Sequence, residues 1–205
     1  MYLIRNMPLN RPWQGDIYKD VKLIQDITYS ESPEGEKEWN FNEVTYNYSI
    51  ILTQECDLEQ DFKNRKEENE DHDKYIPMIL MAPAYLAESL RYGGHLEDYG
   101  QKMQRINSKE WDKIKKQENK RYHHLKVDID KNIPEFTIDF KHFYAISRDY
   151  FYNNIMKESY IASLTILYRE ELSQRFCNFI SRIGIPNNRK ETKILADSLY
   201  SGLSS

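Results

Sequence analysis

The run Tyr48-Ser49-Ile50-Ile51-Leu52 is apolar but for one serine, and it stops abruptly at Thr53-Gln54-Glu55-Cys56-Asp57. A short apolar run bounded in this way predicts a buried central strand. Such a strand needs neighbours on both edges, and its end places polar side chains at the edge of a sheet. Residues 15–29 read as a strand pair or one long bent strand, with Ile17, Val21, Leu23 and Ile27 as apolar members. Ser32-Pro33-Glu34-Gly35 supplies turn chemistry before Trp39, Phe41, Val44 and Tyr46. Residues 75–83 read as a strand with Pro77 near its start and Pro83 at its end. Residues 122–127, 136–140 and 160–167 read as further strands. In residues 136–140, Phe136, Ile138 and Phe140 alternate with Thr137 and Asp139, so one face is expected to be buried.

Helical signals lie elsewhere. Residues 84–92 follow Pro83 and stop at Gly93-Gly94. Residues 96–120 form a polar helical stretch with sparse apolar residues (Met103, Ile106, Trp111, Ile114) and a break or cap at Asn107-Ser108. Together, residues 84–120 read as a helical insertion. The clearest helix covers residues 169–183, where Leu172, Phe176, Phe179, Ile180 and Ile183 share one face. Gly184 and Pro186 end it, and residues 190–200 read as a last helix. Residues 55–74, with nine acidic and four basic side chains, read as a solvated loop or frayed helix. Residues 143–152 read as aromatic and irregular.

Strands and helices do not alternate regularly, which argues against a doubly wound sheet. The expected fold is α+β, one domain over residues 1–205. Its centre is a small, strongly bent antiparallel sheet or an SH3-like barrel, with the insertion and C-terminal helices (residues 168–200) packed on it.

Composition narrows the function classes. With 29 basic and 33 acidic residues and a net charge of −4, wholesale nucleic-acid binding is not expected, but a local basic patch remains open. Sixteen Tyr, eight Phe and three Trp argue against disorder. No apolar run approaches the ~18 residues needed to cross a bilayer. Residues 1–13 carry Arg5 and Arg11 without an apolar core, so no signal peptide is expected. Cys56 and Cys177 cannot build a disulfide framework, which points to a reducing, cytoplasmic compartment. Phosphate-binding glycine motifs, HExxH and CxxC are absent. His123 and His124, adjacent on a strand, point to opposite faces. No metal or other cofactor is expected.

Three groups of residues could carry chemistry. Thr53 is a hydroxyl donor, Gln54 an amide clamp, Cys56 a nucleophile and Asp57 an acid or base. A thiol becomes a good nucleophile only beside a cation or histidine, and only the fold can bring His95, His123, His124 or His142 near. The stretch 109–126 counts seven Lys or Arg against three acids, interleaved with Trp111, Tyr122, His123 and His124. Lys113, Lys115, Lys116, Lys120 and Arg121 are its phosphate-binding candidates; a solvated helix face is the ordinary alternative. Arg175, beside Phe176, is expected to be partly buried and to need a carboxylate or carbonyl partner.

Gly15-Asp16-Ile17-Tyr18, Ile50-Ile51-Leu52-Thr53-Gln54-Glu55-Cys56-Asp57-Leu58 and Tyr168-Arg169-Glu170-Glu171-Leu172-Ser173-Gln174-Arg175-Phe176 together resemble an uncharacterised bacterial protein family. The first 60 residues also resemble the opening of the PemK/MazF-like toxins, in which a Gly-Asp-Ile/Val strand and a long hairpin lead to a buried strand ending in Ser or Thr. That resemblance implies an SH3-like barrel, a toxin–antitoxin setting and metal-free cleavage of single-stranded RNA, with Thr53 as the carried-over site residue. Where those toxins have Arg-Pro before the buried strand, this chain has Tyr46-Asn47-Tyr48. Two functions follow as expectations. One is RNA binding or metal-free ribonuclease activity, with Asp57 or a histidine as base and Arg175 or Arg121 as phosphorane stabiliser. The other is a non-catalytic interaction module with a protein partner in a toxin–antitoxin or defence locus, for which residues 143–152 are the first surface. A thiol hydrolase built on Cys56 ranks third.

Overall fold

The computed structural model describes residues 10–33, 35–68, 70, 72–126 and 133–181. The helix expected over 190–200, the stop at Gly184 and Pro186, and the N-terminal residues 1–9 lie outside them.

The fold is α+β: a seven-stranded antiparallel sheet in the order β4-β5-β3-β2-β1-β7, with β6 also paired to β3. The strands are β1 (Asp16–Glu31), β2 (Lys37–Ile51), β3 (Met78–Leu86), β4 (Tyr122–Leu125), β5 (Phe136–Asp139), β6 (Tyr144–Ser147) and β7 (Tyr160–Ser163). The helices are α1 (Glu55–Lys66), α2 (Ala87–Tyr92), α3 (Ser108–Lys115), α4 (Arg148–Asn154) and α5 (Ile166–Ile180). Of the two forms expected, the sheet takes the open one: among the described residues β4 and β7 are its edges, and no barrel closes.

The central run behaves as its composition requires. Ile50, Ile51 and Leu52 are buried between β1 and β3. Because helices cover both sheet faces, successive residues of these strands are buried rather than alternating. On one side, Ile17, Ile50, Leu52, Ile138 and Phe140 pack with Leu172, Phe176 and Phe179 of α5. On the other, Tyr18, Val21, Ile51, Ile79 and Met81 pack with Leu58 of α1 and Phe151 of α4. A third cluster joins Tyr85, Leu90, Trp111 and Ile114 from the insertion.

Several local expectations are corrected by tertiary context. Residues 143–152 are not irregular: β6 pairs along β3, and α4 follows with Ser147 Oγ capping Tyr150 N. Pro83 does not end β3. It sits opposite Ser49, where pairing to β2 stops, and Ala84–Leu86 continue against β5. Helix therefore begins at Ala87 rather than Ala84. The stretch 96–120 holds only one short 3-10 turn and α3, whose N-cap is Asn107 as its sequence suggests. All four β5 residues are buried, Asp139 included, because the insertion covers the face that alternation left open.

Gly15 fixes the approach of β1. Its φ is +78°, and a Cβ there would lie 2.8 Å from the Arg169 side chain. Its N–H donates to Ile51 O at 3.0 Å and its carbonyl accepts from Leu164 N at 3.1 Å. Gly15→Ala is expected to cost about 1–2 kcal/mol from the left-handed backbone alone, and more from displacing Arg169. The urea midpoint is the measurement, and an unchanged midpoint would contradict this packing.

Candidate functional site

The residues flagged at the end of the central strand are mainly structural. Thr53 Oγ1 accepts from Leu80 N at 2.7 Å and Thr53 N donates to Leu80 O at 3.2 Å, so this hydroxyl extends the β2–β3 pairing. Gln54 is the N-cap residue of α1 and is exposed. Glu55 ties the resembling stretch after Ile50 to the one that holds Arg169. It accepts from Gln14 N (2.9 Å) and Arg169 (3.0 Å), and pairs with Arg11 at 2.7 Å. The Arg169 guanidinium also lies 4.6 Å from the Trp13 ring centroid. Cys56 is exposed, and its thiol contacts Gln54 Oε1 and Asp57 Oδ1, each at 3.6 Å. Desolvation and the Asp57 charge push its pKa up, opposite to what a nucleophilic thiol needs.

The basic stretch is divided by the fold. Lys113 and Lys115 pair with Glu110 and Asp112 along α3, while Lys116 and Lys120 are exposed. Arg121 turns inward to Asp139. Arg175 meets its expected partners: its guanidinium donates to the carbonyls of Gln117, Asn119 and Tyr122. It clamps α5 to the segment after α3. His123 and His124 take opposite faces. His123 is fully buried beside Phe140, and His124 contacts Thr137 and Glu135.

A different group of residues forms the most chemically capable recess. Tyr46 and Tyr48 of β2, Tyr85 at the end of β3, and His95, Asp98 and Tyr99 of the insertion line a pocket of about 80 Å³. Local geometry assembles it. Gly93 ends α2 with φ +84°, and its N–H donates to Leu90 O while that of Gly94 donates to Ser89 O. A Cβ on Gly93 would collide with the Met103 carbonyl at 2.3 Å, so glycine is needed for the chain to turn back here. His95 is thereby set edge-on to Tyr85, at 4.6 Å between centroids. Tyr99 Oη donates to Thr45 O at 2.6 Å and fixes the insertion to β2. Tyr46 stacks on Tyr144 at 5.0 Å, and Tyr144 Oη donates to Ser49 Oγ at 2.6 Å.

Behind the pocket runs a buried polar chain. Asp139, at the end of β5, has no solvent exposure. It receives Arg121 Nε at 2.8 Å and a second guanidinium nitrogen, and Lys141 N at 3.0 Å. The last bond caps the 3-10 turn Phe140–His142 and directs His142 back over the carboxylate. His142 Nδ1 lies 3.5 Å from Asp139 Oδ2 and 3.0 Å from Tyr85 Oη. The rings of His95 and His142 lie roughly parallel at 6.4 Å. Both ring nitrogens of His95 are buried without a protein partner.

Burial sets the charges. Desolvation pushes His95 down to about 4 and lowers His142, against the opposing pull of Asp139. Both rings are therefore neutral near pH 7, and the Tyr85 hydroxyl is held protonated by burial. The arrangement offers a neutral imidazole base supported by a carboxylate, a phenol donor, and aromatic faces. Its members come from three distant parts of the chain. The visible signals were His95 after Gly93-Gly94 and the Asp139-x-x-His142 spacing, and neither is specific alone.

No protein-family model matches the chain, and no curated protein matches it. Among the described residues, no helix is long and apolar enough to cross a membrane, and no three His, Cys, Asp or Glu side chains are grouped to hold a metal ion.

Proposed function

We propose that this protein binds single-stranded RNA and holds an unpaired base in the pocket formed by Tyr46, Tyr48, Tyr85, His95 and Tyr99. The observation that carries the reading is the gathering of five rings, Tyr46, Tyr48, Tyr85, His95 and Tyr99, around one pocket. Unpaired bases are recognised in large part by stacking, for which such a wall supplies the faces. Elsewhere on the insertion a second aromatic side chain is flanked by cations. Half-exposed Tyr92 lies between the guanidinium groups of Arg91 and Arg105, 5.8 and 4.9 Å from its ring centroid. The resemblance of the first 60 residues to PemK/MazF-like toxins, whose closed barrel this open sheet does not form, supports RNA as the ligand class, and the net charge of −4 favours stacking over bulk phosphate attraction. For cleavage, neutral His142 is the base this site offers: its Nδ1 accepts from the Tyr85 hydroxyl, a proton passed from a ribose 2′-OH through Tyr85 would end on the ring, and the charge so formed lies 3.5 Å from Asp139.

The test is anisotropy of a short labelled mixed-sequence single-stranded RNA, with EDTA present and cleavage followed on gels. Tyr48→Ala and His95→Ala are each expected to weaken binding roughly 5- to 150-fold, the value of one base stack of about 1–3 kcal/mol. Thr53→Ala/Asp57→Ala is expected to bind as the parent does. No binding by the folded parent, or equal binding by the pocket variants, would overturn the proposal. The second reading, an interaction module, is favoured by one specific feature, the exposed face of the β1–β2 ribbon.

A further inference from the structure

The distal part of the β1–β2 hairpin projects beyond the layered core as a two-stranded ribbon. Its register pairs Ile24 with Glu43, Ile27 with Phe41, Tyr29 with Trp39 and Glu31 with Lys37, with a bulge between Ile24 and Asp26. Directly paired residues share a face, and on each strand every second residue does. On β2, Lys37, Trp39, Phe41 and Glu43 therefore lie on one face. Their partners Glu31, Tyr29, Ile27 and Ile24 lie there too, because the bulge restores the phase. The opposite face carries Asp26, Thr28, Ser30, Glu38, Asn40 and Asn42.

All the large apolar side chains of the ribbon tip are thus on one side, and all are open. Ile24, Ile27, Tyr29, Trp39 and Phe41 are 52–61% exposed. An isolated hairpin is marginally stable in water and needs a covered apolar face. At roughly 150–250 Å² for each of the three aromatic side chains and about the lower end of that range for each isoleucine, these five leave on the order of 500 Å² uncovered. Two copies covering one another would bury roughly 1,000 Å², the lower bound for a specific interface.

The charges on this face say what fits it. Lys22 and Glu43 stand at the root, on β1 and β2 respectively, and Glu31 and Lys37 at the tip, on the same two strands. In a face-to-face, antiparallel two-fold pair, β1 lies over β1 and root lies over tip. Lys22 then meets the second copy's Glu31, and Glu43 falls two residues along the strand from its Lys37, within reach of that long side chain. Each charge on the face then has an opposite charge at or near its position, and the two cores lie at opposite ends of the paired ribbons. A groove of about 300 Å³ at the root, where Ile24 and Glu43 meet Ala145, Ile146 and Tyr150, lies where the second copy's tip arrives.

We infer that the ribbon is a self-docking arm, and that a second copy of this chain packs its apolar ribbon face on the first in antiparallel, two-fold fashion. This is independent of the RNA reading and its test is separate. The measurement is sedimentation equilibrium of the full chain across about 1–100 µM, with circular dichroism to confirm folding; specific interfaces of this size give affinities in or below that range. The parent is expected to be a dimer and Phe41→Glu a folded monomer. Lys22→Glu and Glu31→Lys, each alone, set like charges face to face twice and are expected to weaken dimerisation about tenfold. Mixed together, those two variants restore both attractive pairs, and the heterodimer is expected to recover parental affinity. A folded parent that stays monomeric, or a dimer indifferent to Phe41→Glu, would overturn the self-docking arm. Failure of the mixture to recover would overturn the antiparallel pairing.

Discussion

On lowering the pH from about 7 to 4, the protein is expected to lose several kcal/mol of stability, and His123→Phe is expected to remove the largest single contribution to that loss. His123 is fully buried on β4 beside Phe140, and neither ring nitrogen has a partner. Desolvation, reinforced by the Arg175 charge, holds its pKa down to about 3. In the unfolded chain the ring titrates near 6.5. Between those values the unfolded state binds the extra proton, so stability falls with pH. The contribution is complete above about 6.5, declines as pH drops through it, and levels only below the folded value. His95, His124 and His142 are shifted the same way, chiefly by desolvation, and steepen the decline.

The phenylalanine variant separates this cause from the others. It keeps a ring against Phe140 and removes two unsatisfied nitrogens, so stability near pH 7 is expected to hold or rise by about 1 kcal/mol. Urea titrations of both proteins at neutral and acid pH supply the comparison. Equal acid losses in the two would show that His123 does not drive the linkage.

The sequence exposed the parts of the fold that rest on periodicity. The helix seen as α5 follows from Leu172, Phe176 and Phe179, and all three pack on the sheet. The partners expected for Arg175 are present because a guanidinium beside a core phenylalanine must find acceptors. What failed was any inference about which face is covered. Alternation in β5 marked Phe136 and Ile138 as inward but could not show that the insertion buries Asp139. The same pattern in Ile27, Tyr29, Trp39 and Phe41 suggests a core, yet these side chains are exposed. Periodicity reports that a face is apolar; the covering element is a tertiary fact. The pocket was less legible still. Tyr46, Tyr85, His95 and His142 meet only because β2 and β3 pair and Gly93 turns the chain back. The conspicuous cluster after Leu52 proved to be cohesive: Thr53 completes strand pairing and Glu55 joins α1 to Arg11 and Arg169.

That cohesion depends on how α1 is held, and the residue that holds it is Asp61. Its side chain is 1% exposed on a helix with little apolar surface, where Leu58 is the other buried residue. One carboxylate oxygen accepts from Arg65 Nε at 2.7 Å and Ile76 N at 3.1 Å, and the other accepts from Arg148 Nε at 3.0 Å. A single anion thus joins α1, the segment leading into β3, and the first turn of α4. The arginines are themselves placed by aromatic rings: Arg65 over Tyr75 at 4.2 Å and Arg148 over Tyr152 at 3.7 Å. Asp61→Ala leaves those cations and one backbone N–H without their shared acceptor, and is expected to destabilise by about 3–5 kcal/mol. Asp61→Asn keeps the shape but not the charge, and about 1.5–3 kcal/mol is expected. The two losses are read from urea midpoints. A loss below about 1 kcal/mol for Asp61→Ala would mean that solvent replaces the network and that α1 is held by Leu58 alone. The paired variant Asp61→Leu/Arg148→Met decides between pairing and packing. Replacing both charges with apolar side chains avoids an uncompensated ion, so the double variant is expected to lose less than the sum of its single changes. Additive losses would show that Asp61 and Arg148 act independently, and that the link between α1 and α4 runs through Phe151 and Leu58 instead.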